Sequence, residues 1–435
     1  MLKMKVLVIG GGGREHALVN ALLKSDRVSE VVCAPGNGGI AQQVRCVPVK
    51  QDDLADLMRV VEAENPGLTV VGPELPLSIG FVDEMLRLGR KAFGPTKAAA
   101  RLESSKAFSK AFMQRHKIPT ARYAICVSAN EVEEALELFS EPVVVKADGL
   151  AAGKGVVICE TKAEAMAVAR DMFTGGVAGK AGKRLVLEEF LEGEEVSFLL
   201  LSDGVTVAPL PPAQDHKRIG EGDTGANTGG MGAYSMDTLV EPEMRNWLID
   251  HVAKPTIQAM AAEGAKFVGV LYCGLMLTAR GPMVLEFNAR FGDPETQAIL
   301  LRLESDLLTA FEACVDGTLS GHQMQWRAGA SACVVAASGG YPGKFSIGKE
   351  IHGLDAVSRM SGVKVFHAGT IAQDRKLLTS GGRVLVTAAE SATLQGALAQ
   401  CYAAMEKIEF DGMVYRRDIG HRALSLKDAA EAKSE

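Results

Sequence analysis

No Cys-x-x-Cys pair occurs among the eight cysteines, whose closest two are Cys33 and Cys46. Neither a zinc site nor a disulfide framework is suggested, so a reducing, cytoplasmic setting is expected. No apolar run approaches the length of a membrane span. The one near the start, residues 6–9, is too short for a signal h-region before it meets glycines. A basic excess is missing as well: 47 Lys and Arg stand against 53 Asp and Glu, a formal net charge of −6. That balance disfavours nucleic acid and membrane surfaces as partners. Internal repeats and low-complexity blocks are also lacking. What is present is the composition of a soluble globular protein, 47% hydrophobic and 23% charged. At 435 residues the chain is too long for one core, and about three or four domains are expected.

The first third reads as strands alternating with helices, hence a doubly wound parallel sheet whose ligands sit beyond the carboxyl ends of its strands. Residues 6–9 form an apolar strand followed by Gly10-Gly11-Gly12-Gly13-Arg14-Glu15 and a helix to about residue 23. Strand, glycine turn and helix bring backbone N–H groups up to a phosphate. A dinucleotide site is disfavoured twice over. Glu15 stands where Gly-x-Gly-x-x-Gly needs its third glycine, and the second strand, 31–34, ends in Pro35-Gly36-Asn37 instead of an acid. A third strand, 68–71, ends in Gly72-Pro73-Glu74. Three glycine-bearing loops on one sheet edge favour a small phosphorylated ligand.

The richest stretch is 283–297. Gly281-Pro282 makes a turn, the apolar residues Met283, Val284, Leu285 and Phe287 make a strand, and Glu286 and Asn288 share one face of it, about 7 Å apart. Two oxygen donors at a strand end suit Mg²⁺, which takes few protein ligands when phosphates supply the rest. Arg290 and a tight Gly292-Asp293-Pro294 turn follow directly. Upstream, Ser104 and Ser105 are N-cap candidates for a helix over 106–116, which carries Lys106 on its first turn. A buried-looking strand over 143–146 delivers Lys146, whose ammonium is costly there unless an anion meets it. The loop 147–155 places Lys154 between two glycines, able to close over a triphosphate. It is not a Walker loop, because Gly155 follows the lysine. The strand 184–189 ends in Glu188-Glu189-Phe190-Leu191, an extended segment able to meet an adenine edge and face, and Glu195 is placed for ribose hydroxyls. Beyond Gln214-Asp215-His216-Lys217-Arg218, the glycine-rich stretch 220–234 shows no periodicity and is expected to be a long structureless loop, functional or disordered. The mixed charges of Asp215, Lys217 and Arg218 suit a zwitterion.

Glu286-Phe287-Asn288-Ala289-Arg290-Phe291-Gly292-Asp293-Pro294-Glu295-Thr296-Gln297 resembles the metal-binding end of ATP-grasp enzymes, and among them the phosphoribosylamine–glycine ligase family. The resemblance extends over nearly the whole chain, in the order Lys106, Lys146, glycine loop, Glu188–Leu191, Glu195, Glu286, Asn288. It implies an α/β protein: an N-terminal doubly wound parallel-sheet (pre-ATP-grasp) domain over 1–103; a central ATP-grasp α+β domain over 104–328 with a lid subdomain at about 122–192; a small C-terminal α+β cap over 329–425; and a polar tail, 426–435. The implied activity joins glycine to 5-phosphoribosylamine with ATP and Mg²⁺ or Mn²⁺, through glycyl phosphate, in purine biosynthesis. By the same carry-over Lys106, Lys146, Lys154, Glu188, Phe190, Leu191 and Glu195 hold ATP, and Glu286 and Asn288 hold the metal. Gly12, Gly13, Arg14, Glu15, Gly36, Asn37, Pro73 and Glu74 are assigned to phosphoribosylamine, with Glu15, Asn37 and Glu74 on its hydroxyls or amine. Asp215, Lys217, Arg290, Gly292 and Asp293 complete the substrate set; Asp215 takes the glycine ammonium, Arg290 its carboxylate, and Arg383 the sugar's phosphate. Lys154, Arg290 and Asp215 are the catalytic candidates. One departure is the acid that many ATP-grasp enzymes carry on the preceding strand, missing from 271–277. A monomer or weak dimer is expected. Two rivals stay open, a purine-pathway ATP-grasp ligase using formate or bicarbonate and an NAD(P)-dependent oxidoreductase.

Overall fold

The computed structural model describes residues 3–150, 155–175 and 182–425. Its first layer is a parallel sheet of β1 (Met4–Gly10), β2 (Val28–Pro35), β3 (Arg45–Cys46), β4 (Leu68–Val71) and β5 (Ala92–Phe93), in the spatial order β3-β2-β1-β4-β5. Every residue from Val6 to Gly10 is buried, as the unbroken apolar run requires of a strand covered on both faces. Strand order reverses between β1 and β4, so the loops Gly10–Gly13 and Gly72–Glu74 open the crevice where such sheets bind ligands.

A separate four-stranded antiparallel sheet forms the lid: β6 (Tyr123–Cys126), β7 (Val143–Ala147), β8 (Val156–Cys159) and β9 (Leu185–Glu189), ordered β6-β9-β7-β8. Its helices, Ala129–Leu136 and Lys162–Phe173, start at Ser128 and Thr161, whose hydroxyls accept N–H groups of the first turn. The lid has its own apolar core.

The remaining chain builds one large antiparallel sheet. β10 (Glu194–Asp203), β11 (Val207–Pro209) and β12 (Ala213–Asp215) come first. The hairpin β13 (Arg218–Gly220) and β14 (Thr224–Asn227) stands off the sheet, and β15 (Gly232–Met236) rejoins it. β16 (Val268–Thr278), β17 (Gly281–Asn288), β18 (Ala330–Ser338), β19 (Val363–His367), a small hairpin β20 (Thr370–Gln373) and β21 (Lys376–Thr379), then β22 (Arg383–Ser391) follow. The order β17-β16-β10-β12-β15-β18-β22-β19 runs without a break from the central part into the last quarter. The stretch expected to be structureless after residue 220 is therefore ordered: it forms β14 and β15, tied down by arginines nearly two hundred positions away. Contacts so distant leave no local period to read. Among the described residues no helix is long and apolar enough to cross a membrane.

Candidate active site

β17 pairs with β16, but the register slips between Gly274 and Leu275, leaving Leu285 unopposed. The bulge keeps both Val284 and Phe287 in the core although they are three positions apart. Glu286 and Asn288 then share the other face, as the alternation predicted. The carbonyl of the bulged Leu285 accepts a hydrogen bond from Lys146 Nζ (3.3 Å). Burial alone would raise the Glu286 pKa. Lys217, Lys106, Lys146 and Arg290 outweigh it and hold the carboxyl at about 2.

Lys146 leaves the end of β7 buried and meets Glu188 Oε1 at 2.9 Å. The opposite oxygen of Glu188 binds Lys110 Nζ at 2.8 Å, and Lys110 also donates to Thr120 Oγ1 (2.7 Å). Lys110, on the helix Lys106–Arg115, is 2% exposed. Burial lowers its pKa to about 8 although Glu188 acts to raise it. Lys106 begins that helix, capped by Ser105, and donates to the Gly149 carbonyl (3.3 Å). Asp148 fastens the start of the glycine loop by accepting from Ser105 Oγ (3.0 Å) and Ala107 N (3.1 Å). Lys154 lies outside the described residues. In the crossover to β10, Phe190 is exposed and Leu191 buried, and Glu195 ion-pairs with Lys217.

Gly12, Arg14, Glu15, Gly36, Asn37, Pro73, Asp293 and Arg383 line an open cleft of about 480 Å³ at the switch point of the parallel sheet. Gly13, Glu74 and Gly292 do not line it. Gly13 packs against the Gln297 amide, Gly292 against the Glu295 carboxylate, and Glu74 lies 3.5 Å from Arg290 Nε. Glu15 accepts from Gly12 N and Arg14 Nε, both at 2.6 Å. Its side chain fills the space over Gly10 and Gly72, so a third glycine is replaced here by a carboxylate that needs glycines opposite it.

Asn37 differs from its expected role on a sugar hydroxyl. Its amide nitrogen donates to the Gly11 and His367 carbonyls (2.9 and 2.7 Å), and its oxygen accepts from Gly39 N and Ile40 N (both 2.9 Å). Two donors and two lone pairs are all in use, so Asn37 clips the cleft wall to the last quarter of the chain. Arg383 likewise is engaged, bonding the Gly229 and Asp293 carbonyls (2.7 and 2.6 Å) and lying 2.9 Å from Asp293 Oδ2.

Asp215 and Arg290 have different neighbours. Arg290 reaches Glu103 (3.0 Å) and the Phe291 carbonyl (3.2 Å). Asp215 is enclosed with Oδ1 unpartnered; burial and then the charge of Glu295 push its pKa well up. Glu295 Oε1 accepts from Ser197 Oγ and Tyr272 Oη, both at 2.9 Å. Glu103, Lys110, Ser197, Tyr272 and Glu295 were not singled out in the sequence. Only Glu295, inside the motif after Pro294, carried a signal; the others become visible when strands far apart in sequence pair.

Among the described residues no group of three or more His, Cys, Asp and Glu could close around a metal. An ionised Glu286 beside the Asn288 amide, facing four cations, nonetheless suits a divalent ion whose remaining ligands are phosphate and water. The donor set fits.

Three family descriptions match in succession: the N domain of phosphoribosylglycinamide synthetase over residues 4–103, its ATP-grasp (A) domain over 104–296, and its C domain over 331–422. A phosphoribosylamine–glycine ligase of Xanthomonas campestris is 50% identical over 436 aligned positions, covering 99% of this chain and 100% of that protein. The chain belongs to the phosphoribosylamine–glycine ligase family. The Salmonella typhimurium ligase is also 50% identical, over 97% of this chain and 99% of its own. The crystal structure of the Thermotoga maritima ligase superposes with a TM-score of 0.82 at 34% identity, covering 96% of this chain and all of that one. The biotin carboxylase domain of a Hydrogenobacter thermophilus 2-oxoglutarate carboxylase, in complex with MgADP, shares the fold alone, with a TM-score of 0.73 at 16% identity over 95% of this chain and 92% of that one. ATP-grasp ligases use ATP with a divalent metal, and the phosphoribosylamine–glycine ligase family works in purine biosynthesis.

Proposed function

We propose that this chain ligates glycine to 5-phosphoribosylamine at the expense of ATP, with residues 104–328 handling the nucleotide, 1–103 the sugar phosphate, and 329–425 closing the mouth. The observation that carries the site assignment is Glu286, held ionised by four surrounding cations at the bulged end of β17. Mg²⁺ bound at Glu286 and Asn288 would draw negative charge from the triphosphate oxygens.

Lys106 and Lys146 neutralise phosphate charge, and Glu188, gripped by Lys110, keeps Lys146 in place. Phe190 and Leu191 receive the adenine, and Glu195 the ribose. Asp215 takes the ammonium of glycine: its free buried oxygen lacks a donor and the ammonium supplies one. Lys217 and Arg290 balance the glycine carboxylate. One carboxylate oxygen attacks the γ-phosphorus, the bond to ADP breaks, and glycyl phosphate forms. The amine of phosphoribosylamine then attacks the carbonyl carbon, and phosphate departs with the oxygen that glycine contributed. Catalysis is positioning and charge neutralisation, without a covalent enzyme intermediate. A cytoplasmic setting is supported by eight cysteines in no disulfide, seven of them buried.

The test is ADP release measured with each substrate omitted in turn, together with glycine labelled with ¹⁸O in its carboxylate. Release requiring both substrates, with label in the phosphate, is expected. Unlabelled phosphate, or formate or bicarbonate substituting for glycine, would overturn the reading.

A further inference from the structure

The residues on either side of Lys217 are both bonded to a segment about two hundred positions later. Gly420 donates its N–H to His216 Nε2 (3.2 Å), and Arg416 donates from Nη1 to the Arg218 carbonyl (3.1 Å). Arg416 is 1% exposed. The same Nη1 reaches Asp223 at the tip of the β13–β14 hairpin (2.9 Å), and two further bonds to Asp418 (2.8 and 2.7 Å) fix the plane of the guanidinium. Asp418 in turn accepts the Gly222 N–H (2.8 Å), and Glu221 accepts that of Arg417 (3.1 Å). At the hairpin's base, Thr228 donates from N and Oγ1 to the Lys217 carbonyl (2.7 and 2.8 Å).

We propose that Arg416 is a positioning residue for the ligation: it fixes the β13–β14 hairpin and so holds Lys217 Nζ against Glu195. This rests on the reading of Lys217 given above. A lysine has four rotatable bonds, and its ammonium repeats one position only if its backbone is immobile. The flanks of Lys217 get that immobility from 416–420, a segment outside the nucleotide site. A fork-shaped, fully buried guanidinium suits the task because it satisfies a carbonyl and two carboxylates in one plane.

The experiment is a double-mutant cycle of Arg416→Met with Lys217→Met in the full chain, reading kcat and the KM of each substrate. Arg416→Met should lower kcat on the order of tenfold or more, as small misplacements do, and raise the KM of glycine. In the Lys217→Met background it should add no further loss. An equal fold-loss in both backgrounds would show that Arg416 acts independently of Lys217 and overturn the inference. Lys217→Met with unaltered kcat and glycine KM would instead remove the role given to Lys217. Should Arg416→Met fail to fold, Asp223→Asn enters the same cycle with the same two outcomes.

Discussion

Glu286 is a carboxylate whose charge is maintained against its own burial. Its replacement by Gln keeps the shape and one oxygen donor but leaves Lys217, Lys106, Lys146 and Arg290 with one anion fewer. Glu286→Gln should lower kcat by roughly 10²-fold, the scale of losing one electrostatic contact to a transferring group. It should also shift the Mg²⁺ concentration for half-maximal rate upward; a metal titration of ADP release checks both. Lys110 gives a prediction of another kind. It is shielded from solvent and pairs with Glu188, which also holds Lys146. Lys110→Met should destabilise the fold by about 3 kcal/mol, the lower end for breaking a buried pair because Glu188 retains one partner, as urea denaturation would read. Glu286 was legible in the sequence because a strand's alternation and a following glycine turn are local. Lys110 was not: on its helix it resembles any other lysine until β9 brings Glu188 to it.

At the level of elements, the glycine loops were legible as strand-to-helix turns. Strand, glycines and helix were predicted at residues 6–23 and found in β1 and the helix Gly13–Leu22. What the residues alone did not show is that the glycines accommodate the Glu15 side chain. A Cβ on Gly72 would overlap Glu15 Oε1, the oxygen that accepts from Arg14. Gly72→Ala should therefore cost about 1–3 kcal/mol by overpacking and raise the KM of phosphoribosylamine with that of ATP unaffected. Steady-state kinetics with each substrate varied, beside a denaturation curve, tests the pair. The bulge in β17 was likewise invisible, since one extra residue leaves the apolar pattern of 283–287 looking like a plain strand.

For the molecule as a whole, three buried histidines join parts of the chain remote in sequence. His16 Nδ1 accepts the His367 N–H (2.8 Å), tying the first helix to β19, and His216 accepts from Gly420 (3.2 Å). Burial lowers their pKa values from the usual 6.5 to about 3 for His16 and His216 and about 4 for His367. The unfolded chain takes up these protons first. The stability they contribute is therefore complete above pH 6.5 and declines as pH falls toward 4, by roughly 1.4 kcal/mol per unit for each histidine. Thermal melts from pH 7.5 to 5 should show a Tm that holds down to about pH 6.5 and falls below it; a profile flat down to pH 5 would contradict the burial of all three. The succession of a parallel-sheet domain, a lid and a nucleotide sheet could be anticipated from strand patterns and from the family resemblance. The continuity of the large sheet into the last quarter could not, because nothing in the sequence of β15 or β18 says that they are neighbours.

That continuity bears on how the intermediate travels. Glycyl phosphate would form beside β17, and the amine proposed to consume it would wait in the cleft walled on one side by Arg383 at the start of β22. β17 and the Arg383 wall of that cleft belong to a single hydrogen-bonded plate, the opposite wall comes from the loops of the parallel sheet, and the lid is built on a sheet of its own. The gap a water-sensitive anhydride would cross is thus bounded on one side by a strand continuous with the place where it would form, whatever the lid does when ATP binds.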